Sequence, residues 1–344
     1  MRTTIGEIAL EAGVSTATVD RVLNQRVGVG ARTKASVLSV AWRLGYFEGG
    51  DDDLAIQAAS AEKLKLHFVL PTAKNQFIEL LRKEIESQGK ARKNLDVHVT
   101  SVEGIDPHQL AEKVVALEGR AQGIGIIALD HPAVREAIRT VSIAGAKVVT
   151  IASDISQVPR VAYIGIDNRA AGRLAGYLMQ RFYNGLGSGK VALFSGSLSY
   201  RGHEEREMGF RHILADDCPQ LYIVEQLEMM DDPDRAFEIT MQLLTQHKDL
   251  SAIYNVGAGN AGIAKALKAL DLRRHVLLIG HDATEDTREL LLDGTLDAVI
   301  DQNPRVEARE ALNALEGAIT GKYFESHAPR LQVIFRENIP TEFI

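Results

Sequence analysis

Apolar residues recur at helical spacing from the start of the chain: Ile5, Ile8, Ala9 and Ala12, then Val19, Val22 and Leu23. Thr4 and Glu7 stand at the spacing of a capping box, so a first helix is expected to start after Thr4. Gly13 suits a left-handed C-cap, and Ser15 is placed to cap a second helix. A third helix is predicted over 31–44. Val37, Leu38, Ala41, Trp42 and Leu44 form its apolar face, and Trp42 is expected in the core of this small unit. Two short helices around a tight turn fit a helix-turn-helix, whose second helix is sized for the major groove of DNA. By spacing alone an ordinary helical hairpin fits equally well.

Glu48-Gly49-Gly50-Asp51-Asp52-Asp53 reads as a linker, from its glycine pair and run of like charge. A short helix is expected over 54–59. From Lys63 onward the pattern changes to short apolar runs alternating with amphipathic segments. Strands are predicted over 64–70, 97–102, 123–129, 147–151 and 161–166. Helices are predicted over 75–90, 107–118, 132–144 and 168–182. The alternation then begins again, with strands over 190–195, 222–227, 252–255, 275–279 and 298–302. Helices over 204–215, 233–246, 260–270, 284–292 and 304–319 accompany them.

Such alternation implies parallel sheets with right-handed crossovers. Two rounds of it imply two doubly wound lobes. The expected fold is therefore α/β: a small all-α head, then a two-lobed body with two doubly wound parallel sheets. The expected boundaries are 1–48 for the head and 49–62 for the hinge. Residues 63–166 with 303–330 form the first lobe, and 167–302 with 331–344 the second. Ligands of such sheets bind beyond the carboxyl ends of the strands, which places a cleft between the lobes.

Composition adds three constraints. The chain has 344 residues, 45% of them hydrophobic, yet no apolar run approaches the roughly 20 residues that span a bilayer. No apolar signal core opens it and its one cysteine, Cys218, cannot form an internal disulfide, so a cytoplasmic location is expected. The formal net charge is -7, but within residues 1–50 the bases outnumber the acids by two. Those bases are Arg2, Arg21, Arg26, Arg32, Lys34 and Arg43, against Glu7, Glu11, Asp20 and Glu48. A mildly basic head on an acidic body suits DNA contact through the head alone.

The head carries Ile8-Ala9-x-x-Ala12-Gly13-Val14-Ser15-x-x-Thr18-Val19-x-Arg21-Val22-Leu23-Asn24, followed later by Trp42-Arg43-Leu44-Gly45-Tyr46. The body carries Asp167-Asn168-x-x-Ala171-Gly172, Arg206-x-x-Gly209-Phe210 and Ile279-Gly280-His281-Asp282. In these motifs and their order the chain resembles the LacI/GalR family of transcription regulators, over nearly its whole length. The resemblance implies a repressor-type regulator that binds a roughly palindromic operator as a homodimer. It also implies a periplasmic-sugar-binding-like body with a small sugar-like effector between the lobes. The first body helix, around Phe77–Lys90, is the implied dimer surface.

The resemblance assigns base reading to Thr16, Ala17 and Arg21. Arginine can donate two hydrogen bonds to guanine, and the methyls of alanine and threonine can meet that of thymine. Thr4, Ser15, Thr18, Asn24 and Thr33 are the expected phosphate contacts, which position rather than specify. In the cleft it carries a sugar contact onto Asn75, Phe77, Arg206, Asp282 and Gln302. Asp130 and Asp154 join them from their places after strands, and Asn255 from its place beside the family's asparagine.

The chain departs from the family pattern at several places. Gly30 stands where a capping serine is usual. The hinge carries three aspartates in place of basic residues, with Leu54 or Ile56 as the only apolar wedge for a minor groove. A cleft aspartate falls on Ala152, with Asp154 two residues on, and the second-lobe asparagine falls near Val256, with Asn255 beside it.

A second motif points elsewhere. Gly257-Ala258-Gly259-Asn260-Ala261-Gly262 follows a predicted strand and precedes a helix, with Asp282 about 20 residues on. That is a dinucleotide fingerprint, and it keeps open a nucleotide-sensing repressor or an NAD-dependent oxidoreductase. Otherwise the chain has no GxSxG, P-loop or HExxH, and His203, His212 and His281 lack metal-ligand spacing. Neither catalysis, a cofactor nor a metal is expected.

Overall fold

The computed structural model describes residues 3–44 apart from 25 and 27, residue 46, and residues 63–341 apart from 73, 184, 186, 323, 325 and 326. Of residues 31, 32, 35, 42 and 43 it describes the backbone alone. The linker over 49–62, its helix, its apolar wedge and the burial of Trp42 therefore lie outside the described residues. The chain divides into two compact units, Met1–Lys63 and Leu64–Ile344.

The first unit is three helices: α1 (Ile5–Ala12), α2 (Thr16–Leu23) and α3 (Ala31–Arg43). Thr4 Oγ1 accepts the Glu7 N–H at 3.3 Å, while Glu7 Oε2 accepts the Thr4 N–H at 2.8 Å, which closes a capping box. Gly13 ends α1 in the left-handed region at φ 66°, and Ser15 Oγ accepts the Thr18 N–H at the start of α2. Ile8, Val19, Val22, Val37, Leu38 and Ala41 make one small core.

The second unit contains two sheets. In the first lobe the chain runs β1 (Leu64–Thr72), α4 (Gln76–Ala91), β2 (Leu95–Glu103), α5 (Pro107–Val115), β3 (Gly123–Ile126), α6 (Pro132–Ile143), β4 (Lys147–Ile151) and β5 (Ala162–Ile164). These strands pair in parallel in the order β2-β1-β3-β4-β5. The second lobe takes α7 (Asn168–Phe182), β6 (Gly189–Ser195), α8 (Arg201–Asp217), β7 (Leu221–Glu228), α9 (Pro233–Gln246), β8 (Leu250–Asn255), α10 (Asn260–Ala269), β9 (Leu277–His281), α11 (Glu285–Leu292) and β10 (Ala298–Asp301). Helix α12 (Pro304–Thr320) returns to pack on α4, β3 and β4 of the first lobe. The chain then adds β11 (Gln332–Ile334) to the second sheet, whose order is β7-β6-β8-β9-β10-β11.

The first five strands of each sheet share one order, so each lobe has the same crevice at its carboxyl edge. Strand β11 was not expected. It runs antiparallel to β10 at the sheet edge, through three residues too few to show an alternation. The central strands read as continuous apolar runs because helices cover both faces of each sheet. Among the described residues, no helix is long and apolar enough to cross a membrane.

Candidate functional site

The carboxyl ends of the two sheets face one another across a cleft. The first lobe supplies Asn75 and Phe77 at the start of α4, with Ile127 after β3 and Ser153 after β4. The second lobe supplies Tyr200, His203 and Arg206 around α8, and Asp231 after β7. Ala258 follows β8, Asp282 follows β9 and Gln302 follows β10. The lobes touch at the rim. Asn75 Nδ2 donates to Asp231 Oδ2 at 3.3 Å, Lys74 pairs with Asp232 at 3.2 Å, and the Gly202 N–H donates to Ser153 Oγ at 3.3 Å. The cleft is thus in a closed arrangement.

Arg206 is buried, with 3% of its surface exposed. Its Nε donates to Asn168 Oδ1 and its Nη1 to the Val256 carbonyl, both at 2.7 Å. Helices α7 and α8 must approach closely to hold it there. A Cβ on Gly172 would meet the Arg206 carbonyl oxygen at 1.8 Å, and one on Gly209 would meet the Arg169 carbonyl oxygen at 2.1 Å.

Asp282 Oδ1 accepts a hydrogen bond from Gln302 Nε2 at 2.7 Å. It does not cap the helix after it, because Thr284 does. Asp167, by contrast, caps α7 through the Ala170 N–H at 2.9 Å. Gln302 Oε1 is buried with no hydrogen-bond partner among the described residues, which leaves it as an acceptor at the cleft.

Burial sets the charge states. It pushes the Asp282 carboxyl upward, against the opposing pull of Arg206 and the Gln302 hydrogen bond. It pushes Asp231 upward likewise, against the hydrogen bonds from the Ala258 N–H and Asn75. Burial, helped by nearby Arg206, lowers His203 to about 3, so that imidazole is neutral at physiological pH. Behind the wall, burial lifts Asp301 to about 6 and raises Glu307 well above its ordinary value.

The backbone is strained where the cleft is built. Ala152, Met230, Asp231, Asp282 and Asn303 all have positive φ, between 53° and 68°. A non-glycine residue in the left-handed region costs on the order of 1–3 kcal/mol and persists where the surrounding structure fixes it, often at ligand sites. Each of these turns lies at the carboxyl edge of a sheet, where it re-aims a side chain or carbonyl.

The structure brings Asn75, Phe77, Arg206, Asp282 and Gln302 together, but not three other expected residues. Asp130 is held by Arg135, five residues on in the chain. Asp154 accepts from Thr150 Oγ1 at 2.7 Å and pairs with Arg160 at 2.6 Å. Asn255 donates to Asn260 Oδ1 at 2.8 Å and accepts the Gly257 N–H at 3.3 Å, so it shapes the loop between β8 and α10. In each case a local partner captures the side chain before the cleft can use it.

Asp231 and Tyr200 line the cleft without having been assigned to it. Asp231 had one usable signal: it sits in a turn after a strand, directly before the Asp232-Pro233 start of α9.

The glycine motif has a packing role. Gly259 is left-handed at φ 105° and starts α10, and a Cβ on Gly262 would meet the Pro233 carbonyl oxygen at 2.0 Å. The Ala258 N–H, which a pyrophosphate would need, donates to Asp231 at 3.0 Å. A second anion there would meet a carboxylate, so the dinucleotide reading is not favoured.

In the head, Thr16, Ala17 and Arg21 are exposed on α2. Thr4 and Ser15 act as caps, and Thr18 Oγ1 lies 2.9 Å from Ser15 Oγ. Asn24 Nδ2 donates to the Asp20 carbonyl at 3.0 Å, and Thr33 is half-buried in α3.

Comparison with known proteins completes the description. Residues 66–323 match the family described as periplasmic binding protein domain, and residues 4–47 match bacterial regulatory proteins, lacI family. The ribose import binding protein RbsB of Bacillus subtilis is 26% identical over 254 residues, which are 73% of this chain and 80% of that one. The HTH-type transcriptional regulator MalR of Streptomyces coelicolor is 54% identical over 46 residues, 13% of each chain. Among solved structures, GanP, a glucose-galactose binding protein from Geobacillus stearothermophilus, is similar with a TM-score of 0.73 and 25% identity. That match covers 81% of this chain and all of GanP.

Proposed function

The chain belongs to the periplasmic binding protein domain family and carries a lacI-family DNA-binding head, and we propose that it is a cytoplasmic repressor whose operator affinity is set by a sugar-like effector in the cleft. The observation that carries this reading is the cleft wall itself. Phe77 offers an apolar face, while Arg206, Asp282 and Gln302 offer charged and amide groups around it. Sugar hydroxyls both donate and accept, so a guanidinium, a carboxylate and an amide suit them together. Relatives whose names include ribose, glucose and galactose support the ligand class.

In this reading Thr16, Ala17 and Arg21 meet base edges, and Thr4, Ser15, Thr18, Asn24 and Thr33 lie along the phosphates. The protein acts as a homodimer, because two-fold symmetric heads read two-fold symmetric sites. The effector changes DNA affinity only by its differential affinity for the open and closed arrangements of the lobes.

Two measurements test this. Selection from random DNA with the full chain is expected to return a near-palindrome, and a thermal-shift screen of pentoses and hexoses a stabilising sugar, since a ligand of the folded state raises its melting temperature. Recovery of no sequence preference, or of no stabilising sugar, contradicts the reading.

A further inference from the structure

This inference rests on the reading of the cleft as a sugar site. The charges on the cleft wall do not balance: Arg206 is its one cation among the described residues, and it faces two carboxyls, Asp231 and Asp282. Neutral donors alone hold those carboxyls: the Ala258 N–H and Asn75 Nδ2 on Asp231, and Gln302 Nε2 on Asp282. Lys74 cannot supply the balance, because its ammonium is paired with Asp232 and Asp234, each at 3.2 Å. The neutral His203 adds no positive charge.

The hydrogen-bonding inventory leans the same way. Gln302 Oε1 is a buried acceptor without a partner among the described residues. A carboxylate offers about four lone-pair sites, and one described hydrogen bond reaches Asp282. On Arg206, Nε and Nη1 are already engaged. The wall therefore offers unpaired acceptors alongside the remaining N–H groups of Arg206.

Asp231 is also built in rather than incidental. Met230 and Asp231 are consecutive left-handed residues, at φ 55° and 53°. Gly196 and Gly257 leave room for the carboxyl, since a Cβ on either would meet Asp231 Oδ1 at 2.0 or 2.9 Å.

We propose that the effector is a sugar or polyol bearing an ammonium group, and that Asp231 is the residue that selects it. An ammonium offers three N–H donors and no acceptor, which complements the two carboxyls and the unpaired acceptors beside them. A buried carboxylate without a counter-charge is costly, and a ligand cation relieves that cost only where the carboxylate is present. Uronic acids and sugar phosphates would instead bring an anion against these two carboxyls.

The test is calorimetric titration of the full chain with matched pairs: D-glucose and D-glucosamine, D-galactose and D-galactosamine, D-mannose and D-mannosamine, with D-glucuronate as the acidic control. In at least one pair the amine is expected to bind about tenfold or more tightly than its neutral parent. Asp231→Asn keeps an oxygen for the Ala258 N–H. It is expected to bring the ratio of amine to parent affinity down to about one, a readout of selectivity that a common change in affinity does not move. Neutral parents that match or beat their amines in every pair, tight binding of glucuronate, or a preference that survives Asp231→Asn would each overturn the proposal. The wild-type comparison decides alone if the variant does not fold. Absence of binding by every sugar, aminated or neutral, contradicts the sugar reading itself, a failure distinct from loss of the amine preference.

Discussion

Arg206 holds its place by donating to two buried acceptors, Asn168 Oδ1 and the Val256 carbonyl. Its removal would strip both of their donor, at about 1–3 kcal/mol for each acceptor left unpaired. Arg206→Ala is therefore expected to lower stability as well as effector affinity. Asp282→Asn is the cleaner probe, because its Oδ1 can still accept from Gln302 Nε2. Loss of its charge-assisted hydrogen bond to a ligand is expected to cost roughly 1.5–3 kcal/mol of effector binding, with the melting temperature of the free protein nearly unchanged. Titration of both variants with the stabilising sugar checks this, and an unchanged affinity in Asp282→Asn would count against it.

Glu307 supplies a pH prediction at the same scale. It is fully buried, both oxygens lack hydrogen-bond partners among the described residues, and burial raises its pKa well above the ordinary value. The folded state thus binds this proton more tightly than the unfolded chain does. Its contribution is fully present below the ordinary carboxylate pKa and is lost as pH rises through the raised one. Replacing Glu307 by methionine is expected to raise the melting temperature more at about pH 7.5 than at about pH 4.5. Equal shifts at both pH values would show that the carboxyl does not titrate differently on folding.

Arg206, Asp282 and Gln302 were legible in the sequence because each sits at a fixed place beside a strand end or helix start. Asp130 and Asp154 were misplaced because Arg135 and Arg160, a few residues away in the chain, pair with them. Asp231 was missed because two left-handed residues in succession carry no signal in their own identities.

The close packing of α7 on α8 is what keeps Arg206 in the cleft. Gly172→Ala would push a Cβ to 1.8 Å from the Arg206 carbonyl oxygen, so the helices must separate. Loss of both effector binding and thermal stability is expected, since overpacking typically costs about 1–3 kcal/mol. Calorimetry with the sugar and a melting curve check both parts, and a variant with normal affinity would show that this contact does not position Arg206.

In the head, α2 presents Arg21 to solvent. Arg21→Ala is expected to lose about 1–3 kcal/mol of specific binding in each half-site while leaving effector binding unchanged. Equal weakening on selected and random DNA would make Arg21 a phosphate contact instead. Most elements were legible because their periodicity extends over several turns or strand residues. The short β11 was not, and expected helix starts such as 204 fell late because Arg201 and Gly202 continue α8 without an apolar marker.

Two lobes share one strand order, and the chain crosses back from the second to the first through α12, which is the layout of a hinged body. In the closed arrangement Asn75, Lys74 and Ser153 bond across to Asp231, Asp232 and Gly202. A sugar that adds contacts to both walls shifts the balance toward closure. The doubly wound class and the separate head followed from the alternation of segments and the change of pattern near Lys63. The closed geometry did not, because it depends on pairs more than 150 residues apart for Asn75–Asp231 and Lys74–Asp232. The most direct test of the whole account is operator affinity of the wild type and of Asp282→Asn, each with and without the stabilising sugar. The account predicts that the sugar shifts the wild type by about tenfold or more, while the variant binds the operator normally and does not respond. A full response in the variant would contradict it and place the effector outside this cleft.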